Sequence, residues 1–94
     1  MKWRLFGRFA EEVGLTETDV RVDGIGDGTA TIRDALHALL DRYPELESAV
    51  LTDEDELADY VHVVHNHVDI YNEPHHLDTP VAVGDDLALF PRVE

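Results

Sequence analysis

Six histidines are the side chains in this sequence best suited to chemistry. His65 and His67 stand two residues apart in a strand-like segment, a spacing that places both on one face, and His75 and His76 follow in a loop. Neutral imidazole is a common ligand of zinc, copper and nickel, so two or three of these rings could meet at a metal ion. No cysteine and no helical His-x-x-x-His spacing accompanies them, and a solvated polar face explains the same residues. We therefore predict no metal site.

The remaining patterns that could carry chemistry are weaker. The glycine-rich stretch 24–28 is similar to a phosphate-binding loop, but it lacks the closing lysine and hydroxyl residue, and Asp27 would repel phosphate. The acidic run 53–56 lacks the EF-hand pattern and is interpreted as a solvated turn. His37 and His62 are predicted to be surface residues. Because no Ser/His/Asp arrangement stands out either, we predict no catalytic residues, no cofactor and no enzymatic activity.

Acidic residues greatly outnumber basic ones: 21 Asp and Glu stand against 7 Lys and Arg, giving a formal net charge of −14. Such a charge repels the phosphates of nucleic acids and anionic membranes, so neither is an expected partner. It also destabilises the compact state unless salt screens it, and at 1 M salt the Debye length is only about 3 Å. The composition favours a halophilic protein, with a merely acidic mesophilic protein as the alternative. Since the sequence has no signal-peptide pattern and no apolar run of membrane-spanning length, we predict a cytoplasmic protein.

The first part of the chain is predicted to form two strands around a short helix. Alternation of apolar and polar residues predicts a strand over residues 2–6 and a second strand over residues 19–23. Between them, Phe9 and Val13 stand four residues apart and Gly14 follows. That spacing predicts a short amphipathic helix ended by a glycine cap.

The main helix is the clearest signal in the sequence. Thr31 and Asp34 have the spacing of a capping box, and Pro44 ends the helix because the residue before a proline disfavours helical geometry. The apolar residues between them fall on one stripe, which we expect to form the centre of the core. This stripe consists of Ile32, Ala35, Leu36, Leu39 and Leu40.

The second half of the chain is predicted to contain three strands joined by turns. An acidic turn over residues 52–59 has Leu57 as its apolar anchor, and residues 72–80 form a loop. The strands are predicted over residues 60–66, 68–71 and 87–90. The order of elements predicts a single α+β domain over residues 1–94, in which one main helix crosses one face of a mixed sheet of four to five strands.

Strand alternation assigns the aromatic residues near the two ends of the chain to opposite faces of the sheet. Four side chains are predicted to face the helix, namely Trp3, Leu5, Leu87 and Leu89. Phe6 and Phe90 then point to the other face, which a domain with one helix leaves open. Two phenylalanines there indicate a partner-binding patch. The alternative is that each ring curls over a sheet edge and is covered by loops.

Several segments resemble one family in order along nearly the whole chain. Residues 77–91 resemble the end of the MoaD/ThiS-type sulfur carriers and, more closely, of the small archaeal ubiquitin-like modifier proteins. Residues 3–14 are similar to the first strand and helix of that family, residues 31–36 to the start of its main helix, and residues 61–66 to its middle strand.

The resemblance implies a ubiquitin-like β-grasp fold and a function located at the C-terminal tail. In that family an E1-like enzyme adenylates the terminal carboxylate with ATP. The product becomes a thiocarboxylate, for molybdenum cofactor biosynthesis or tRNA thiolation, or an isopeptide bond to a lysine. The resemblance also implies that Phe6 and Phe90 contact a partner similar to the large subunit of molybdopterin synthase.

The tail departs from the family pattern of Phe-Pro-Pro-Val, a small residue and Gly-Gly. Phe90, Pro91 and Val93 match, but Arg92 replaces a proline, Glu94 replaces the small residue, and no glycines follow. Glycines suit a narrow channel because they lack side chains, so the sequence as it stands is not expected to be activated. Three explanations stay open: a lost end, divergence into a docking module, or a processed or unusual tail.

The sequence therefore leads to two hypotheses of function. The first is a sulfur carrier or protein modifier that an E1-like enzyme activates at its terminal carboxylate. The second is a non-covalent β-grasp docking module that is not conjugated.

Overall fold

A computed structural model of the chain describes residues 1–25, 28–54, 56–58 and 61–91. Five strands form one mixed sheet in the order β2-β1-β5-β3-β4. The central pair, β1 and β5, is parallel, and the other three pairs are antiparallel. The strands are β1 (Lys2–Leu5), β2 (Glu17–Asp19), β3 (Val61–His65), β4 (Val68–Asp69) and β5 (Asp86–Pro91).

The main helix, α2 (Ile32–Arg42), forms as the sequence predicts. The Thr31 hydroxyl accepts a hydrogen bond from the Asp34 N–H, and the Asp34 carboxylate accepts one from the Thr31 N–H at 3.0 Å, which completes the capping box. All five residues of the predicted apolar stripe are buried. The helix therefore lies across the sheet with its apolar face in the core.

The predicted inward face of the sheet is confirmed. Trp3, Leu5, Leu87 and Leu89 are each 1% exposed or less. The indole Nε1 of Trp3 donates a hydrogen bond to the Ala35 carbonyl at 3.1 Å, so the largest core side chain also connects the sheet to α2. This bond satisfies a buried polar group that would otherwise cost free energy.

The short helices agree only in part with prediction. Helix α1 (Arg8–Val13) ends, as predicted, at Gly14 with φ 79°, the left-handed conformation that favours glycine. Helix α3 (Glu47–Val50), which follows a 3₁₀ turn at Pro44–Leu46, was not predicted. Two further 3₁₀ turns lie in the segment predicted as a loop or strand end, at Ile70–Asn72 and His76–Asp78.

The second strand was predicted in the wrong place. The structure has β2 at Glu17–Asp19, and residues 21–23 lie outside the sheet. The antiparallel register pairs Lys2 with Asp19, and the next bond runs from the Val20 N–H to the Met1 carbonyl. Residues 21–23 therefore lie past the end of β1. The alternation beyond Asp19 reflects packing against the core, where Val20 is 6% exposed and Val22 is partly buried.

Candidate docking face and tail

Phe6 and Phe90 form a stacked pair on the face of the sheet opposite α2. Their ring centroids lie 4.3 Å apart and their planes are within 7° of parallel. Parallel pairing of Leu5 with Leu89 continues with a bond from the Phe6 N–H to the Leu89 carbonyl at 3.1 Å, which brings the two rings side by side. Phe6 is nevertheless 40% exposed. We call this stacked pair the aromatic pair.

Apolar surface extends from the aromatic pair along the sheet. Ala88 precedes Phe90 by two residues on β5, and Val64 is its partner on β3, so both side chains share the face of Phe90. Both are partly exposed. A contiguous apolar patch on a chain of this charge is typical of a surface that another protein covers.

Basic side chains are concentrated next to this patch. Three of the 7 basic residues of the chain, Lys2, Arg4 and Arg8, occur within the first eight positions. Lys2 forms an ion pair with Glu17 of β2. Arg4 is exposed, is in register with Ala88, and has no ion-pair partner among the residues that the structure describes. Acidic residues share this face, because Glu17 and Asp19 are the register partners of Arg4 and Lys2.

Strand β5 leads the chain past the aromatic pair into the tail. Pro91 pairs with Val61, and it lies against Gly7, where an added Cβ would come within 2.7 Å of the Pro91 Cγ. Gly7 also has φ +58°, a conformation that favours glycine. The root of the tail is thus held between β3 and the turn after β1. Predictions for Arg92, Val93 and Glu94 fall outside the described residues.

The histidines do not share a face as predicted. Asn66 and His67 have φ values of 50° and 72°, so β3 ends at His65 and a two-residue turn leads into β4. His65 is buried and His67 is exposed. Within the described ranges, no three His, Cys, Asp or Glu side chains lie close enough together to hold a metal ion. The prediction of no metal site stays a prediction. In the glycine-rich stretch, Gly26 and Asp27 lie outside the described residues.

Sequence reasoning missed two carboxylates that fix histidines. The Nδ1 of His62 lies 2.9 Å from the Asp69 Oδ2, and the Nε2 of His65 lies 2.8 Å from the Asp85 Oδ2. The His62–Asp69 pair stands on the open face, and the His65–Asp85 pair closes one end of the sheet. Each aspartate lies seven or twenty residues from its histidine, and such a separation leaves no local pattern in the sequence. The one available signal was Asn66, since asparagine is favoured in the two-residue turn of a hairpin.

Three donors converge on the carboxylate of Asp85. Besides His65, the Ala82 N–H donates to Oδ2 at 2.8 Å and the Asn66 side chain donates to Oδ1 at 3.1 Å. Burial acts to raise the pKa of Asp85, but these hydrogen bonds outweigh it and hold the pKa below its ordinary value. The network joins the β3–β4 turn to the segment that enters β5.

A five-stranded sheet in the order β2-β1-β5-β3-β4, with a parallel central pair and one main helix across it, is the ubiquitin-like β-grasp fold. No family model matches the sequence. Small archaeal modifier protein 1 of Haloferax volcanii is 45% identical over 93 residues, which cover 99% of this chain and 97% of that protein. The chain belongs to the small archaeal modifier protein family.

One solved structure supports the same assignment, and a second shows the same fold. The crystal structure of small archaeal modifier protein 1 from Haloferax volcanii has a TM-score of 0.84 and 41% identity, covering 100% of this chain and 96% of that one. A Pyrococcus furiosus protein assigned as molybdopterin converting factor, subunit 1, has a TM-score of 0.73 and 23% identity, covering 98% and 95%, and shows the shared fold. The predicted family and fold are confirmed, and the prediction of a halophilic protein fits the source of the first relative.

The part of the chain that the structure describes contains no helix long and apolar enough to cross a membrane.

Proposed function

We propose that this ubiquitin-like modifier or sulfur carrier is activated at its terminal carboxylate by an E1-like enzyme and docks on its partners through the aromatic pair. The observation that supports this most directly is the position of the pair. Phe90 immediately precedes Pro91, so a protein that covers the two rings also receives the tail. The partners are an E1-like activating enzyme and a protein similar to the large subunit of molybdopterin synthase.

In the proposed reaction, a carboxylate oxygen of the last residue attacks the α-phosphate of ATP. The acyl-adenylate forms and pyrophosphate leaves. A sulfur nucleophile or a lysine amine then displaces AMP, giving a thiocarboxylate or an isopeptide bond. All of this chemistry takes place in the partner, so the chain itself acts as a carrier and not as an enzyme. The proposal places residues 1–94 as one domain in the cytoplasm, without nucleic acid or membrane partners.

The alternative is a docking module that keeps the aromatic pair and is not conjugated. The tail sequence favours this alternative, because the charged Arg92 stands where the family has a proline and the bulky, charged Glu94 stands where it has a small residue. If Glu94 is the residue that is activated, its side chain would bring a second negative charge next to the reacting carboxylate and the ATP phosphates. Coulomb repulsion between such groups is strong at short range in a site that excludes water.

Intact mass spectrometry separates the two hypotheses. The chain as printed, and a matched chain extended by Gly-Gly, are incubated with ATP and the E1-like enzyme from the same genome. Adenylate, thiocarboxylate or conjugate formation by both chains supports the carrier hypothesis for the sequence as it stands. Activation of the extended chain alone supports the docking module or a lost end, which the genomic reading frame after Glu94 distinguishes. If neither chain is activated, the carrier hypothesis is wrong.

Docking is tested independently of activation. Phe6→Ala and Phe90→Ala are each expected to weaken binding to the E1-like enzyme by tenfold or more, since aromatic anchors dominate protein interfaces at roughly 1–4 kcal/mol each. Val83→Ala is the matched control. Val83 is an apolar residue that is 80% exposed, and it lies in the turn that precedes β5, whereas Phe90 lies near the end of that strand. Equal binding by all three variants would reject the docking role.

A further inference from the structure

Rings continue from the aromatic pair over β3 and onto the 3₁₀ turns that follow β4. His62 on β3 is the register partner of Phe90 on β5, so the two side chains stand next to each other on the same face. The His62 ring meets Tyr71 edge-on at 5.7 Å between centroids, and Tyr71 lies 5.0 Å from His76. We call the whole set the aromatic row: Phe6, Phe90, His62, Tyr71 and His76.

Asp69 fixes the orientation of His62 in this row. Its Oδ2 lies 2.9 Å from the His62 Nδ1, and its Oδ1 accepts a hydrogen bond from the Tyr71 N–H at 3.0 Å. An ionised carboxylate can only accept a hydrogen bond. The Asp69 carboxylate therefore requires the neutral His62 ring to carry its proton on Nδ1, which leaves Nε2 as a hydrogen-bond acceptor. Nε2 has no hydrogen-bond partner among the described residues, and the His62 side chain is 32% exposed.

The charges beside the row indicate what a partner would bring. Arg4 projects from β1 on the same face, two residues before Phe6. Its register partner Glu17 is paired with Lys2, and Arg4 itself forms no ion pair among the described residues. Arg4 lies on β1, Phe90 on the neighbouring β5 and His62 on β3 beyond it. Since neighbouring strands are about 4.8 Å apart, His62 lies roughly one strand spacing from Phe90, on the side away from Arg4. From β1 to β3, the open face thus presents a cation (Arg4), an apolar centre (the aromatic pair) and a hydrogen-bond acceptor (the His62 Nε2).

We propose that the aromatic row is one docking surface whose histidine end selects the partner: a folded protein with an apolar centre, a carboxylate opposite Arg4 and a hydrogen-bond donor opposite the His62 Nε2. This inference rests on the proposed function, since it extends the same docking face. The aromatic pair supplies most of the affinity, and the His62–Asp69 pair discriminates between partners because an unmatched polar group in an interface costs binding free energy.

The substitution His62→Phe tests the inference directly. It keeps a ring in the row and removes both ring nitrogens, the Nε2 acceptor and the Nδ1 that holds Asp69, so binding to the E1-like enzyme should weaken about tenfold. His62→Ala should weaken binding at least as much. His75→Ala is the matched control, because His75 is an exposed histidine whose side chain makes no helix-capping hydrogen bond. The affinity of this variant for the E1-like enzyme should stay within about twofold of the wild type.

A nitrogen-15 spectrum of the imidazole rings supplies a readout that a purely structural role would not change. In the free protein, at a pH where the ring is neutral, the His62 Nε2 should show the shift of an unprotonated nitrogen, because the Asp69 carboxylate holds the ring proton on Nδ1. Addition of the E1-like enzyme should move that signal as it accepts a hydrogen bond, and leave the His75 signal in place. A Nε2 signal that does not move, or His62→Phe binding as tightly as the wild type, would overturn the inference.

The remaining outcomes separate this inference from the proposed function. If the wild type binds and is activated while His62→Phe behaves like it, the inference fails and the proposed function stands. If the wild type does not bind the E1-like enzyme and Phe6→Ala changes nothing, the proposed function fails and the inference falls with it. Concentration-dependent dimerisation that His62→Phe abolishes would show that a second copy occupies the row, which would also overturn the partner stated here.

Discussion

Replacing Asp85 by asparagine should destabilise the fold through the end of the sheet. Its two carboxylate oxygens accept from three donors: the His65 ring, the Ala82 N–H and the Asn66 amide. An asparagine has only one acceptor oxygen, so its amide group must face at least one of those donors. Asn66 cannot simply turn over to compensate, because its own oxygen accepts from the Asp86 N–H at 2.9 Å.

The size of the effect follows from this geometry. The least damaging arrangement keeps the asparagine oxygen at the position of Oδ2, where it still serves His65 and Ala82, and loses the bond to Asn66. The two retained bonds also lose the charge of their acceptor. Hydrogen bonds to charged groups contribute about 1.5–3 kcal/mol each, so we expect Asp85→Asn to lower the free energy of unfolding by about 2–3 kcal/mol at pH 7.

The difference should disappear in acid. The pKa of Asp85 in the folded protein is below its ordinary value, so the stabilisation is complete above about pH 4, the ordinary pKa of aspartate, and is lost as the pH falls through the lower folded pKa. The wild type should therefore approach the variant in stability below about pH 4. The variant has no carboxyl group at this position and loses less.

Urea unfolding at a fixed KCl concentration, followed by the fluorescence of the buried Trp3, measures both effects. Asp41→Asn is the matched control, because Asp41 is exposed on α2 and its substitution should change stability by less than about 0.5 kcal/mol. A loss below that level for Asp85→Asn, or a difference from the wild type that persists unchanged at about pH 3, would refute the role of the network.

Three further predictions concern other parts of the molecule. Thr31→Ala removes the capping box and should cost about 1 kcal/mol, measured against Ser48→Ala, which removes an exposed hydroxyl from α3. Gly14→Ala should cost about 1–2 kcal/mol through its left-handed backbone alone, since nothing lies within 4 Å of an added Cβ, and Glu12→Ala should not. The free energy of unfolding should rise between about 0.1 M and about 2 M KCl as charge repulsion is screened, and a flat salt response would contradict the halophilic interpretation.

The main helix and the core-facing strands could be predicted from the sequence because their signals are local. The Thr31–Asp34 cap and the apolar stripe lie within one segment, and Gly14 ends α1 by its own backbone preference. Alternation alone placed Trp3 and Leu5 in the core. Each of these features depends on residues within about ten positions of one another.

The features that the sequence did not reveal depend on register. Val20 and Val22 alternate like a strand, yet backbone bonding to the first strand ends with the bonds between Val20 and Met1, and Val22 lies outside the sheet. His65 and His67 do not share a face because His67 lies in the two-residue turn after β3 and not in a strand. Such a turn requires a positive φ, which His67 has.

Part of the candidate site could be predicted in the same way. Strand parity put Phe6 and Phe90 on the open face, and the structure adds that they stack. The extension of the row to His62 and Tyr71 depends on pairing between β5 and β3 and on the 3₁₀ turn after β4. Neither contact leaves a sequence spacing that could be recognised in advance.

The parallel pairing of β1 with β5 has a consequence for synthesis of the chain. A ribosome releases β1 first, but its central partner follows more than eighty residues later, so contacts of the longest sequence separation complete the sheet. Phe6 meets Phe90 only at that final step. A nascent or truncated chain therefore cannot display the stacked rings, and a partner that recognises them samples only molecules whose folding has finished.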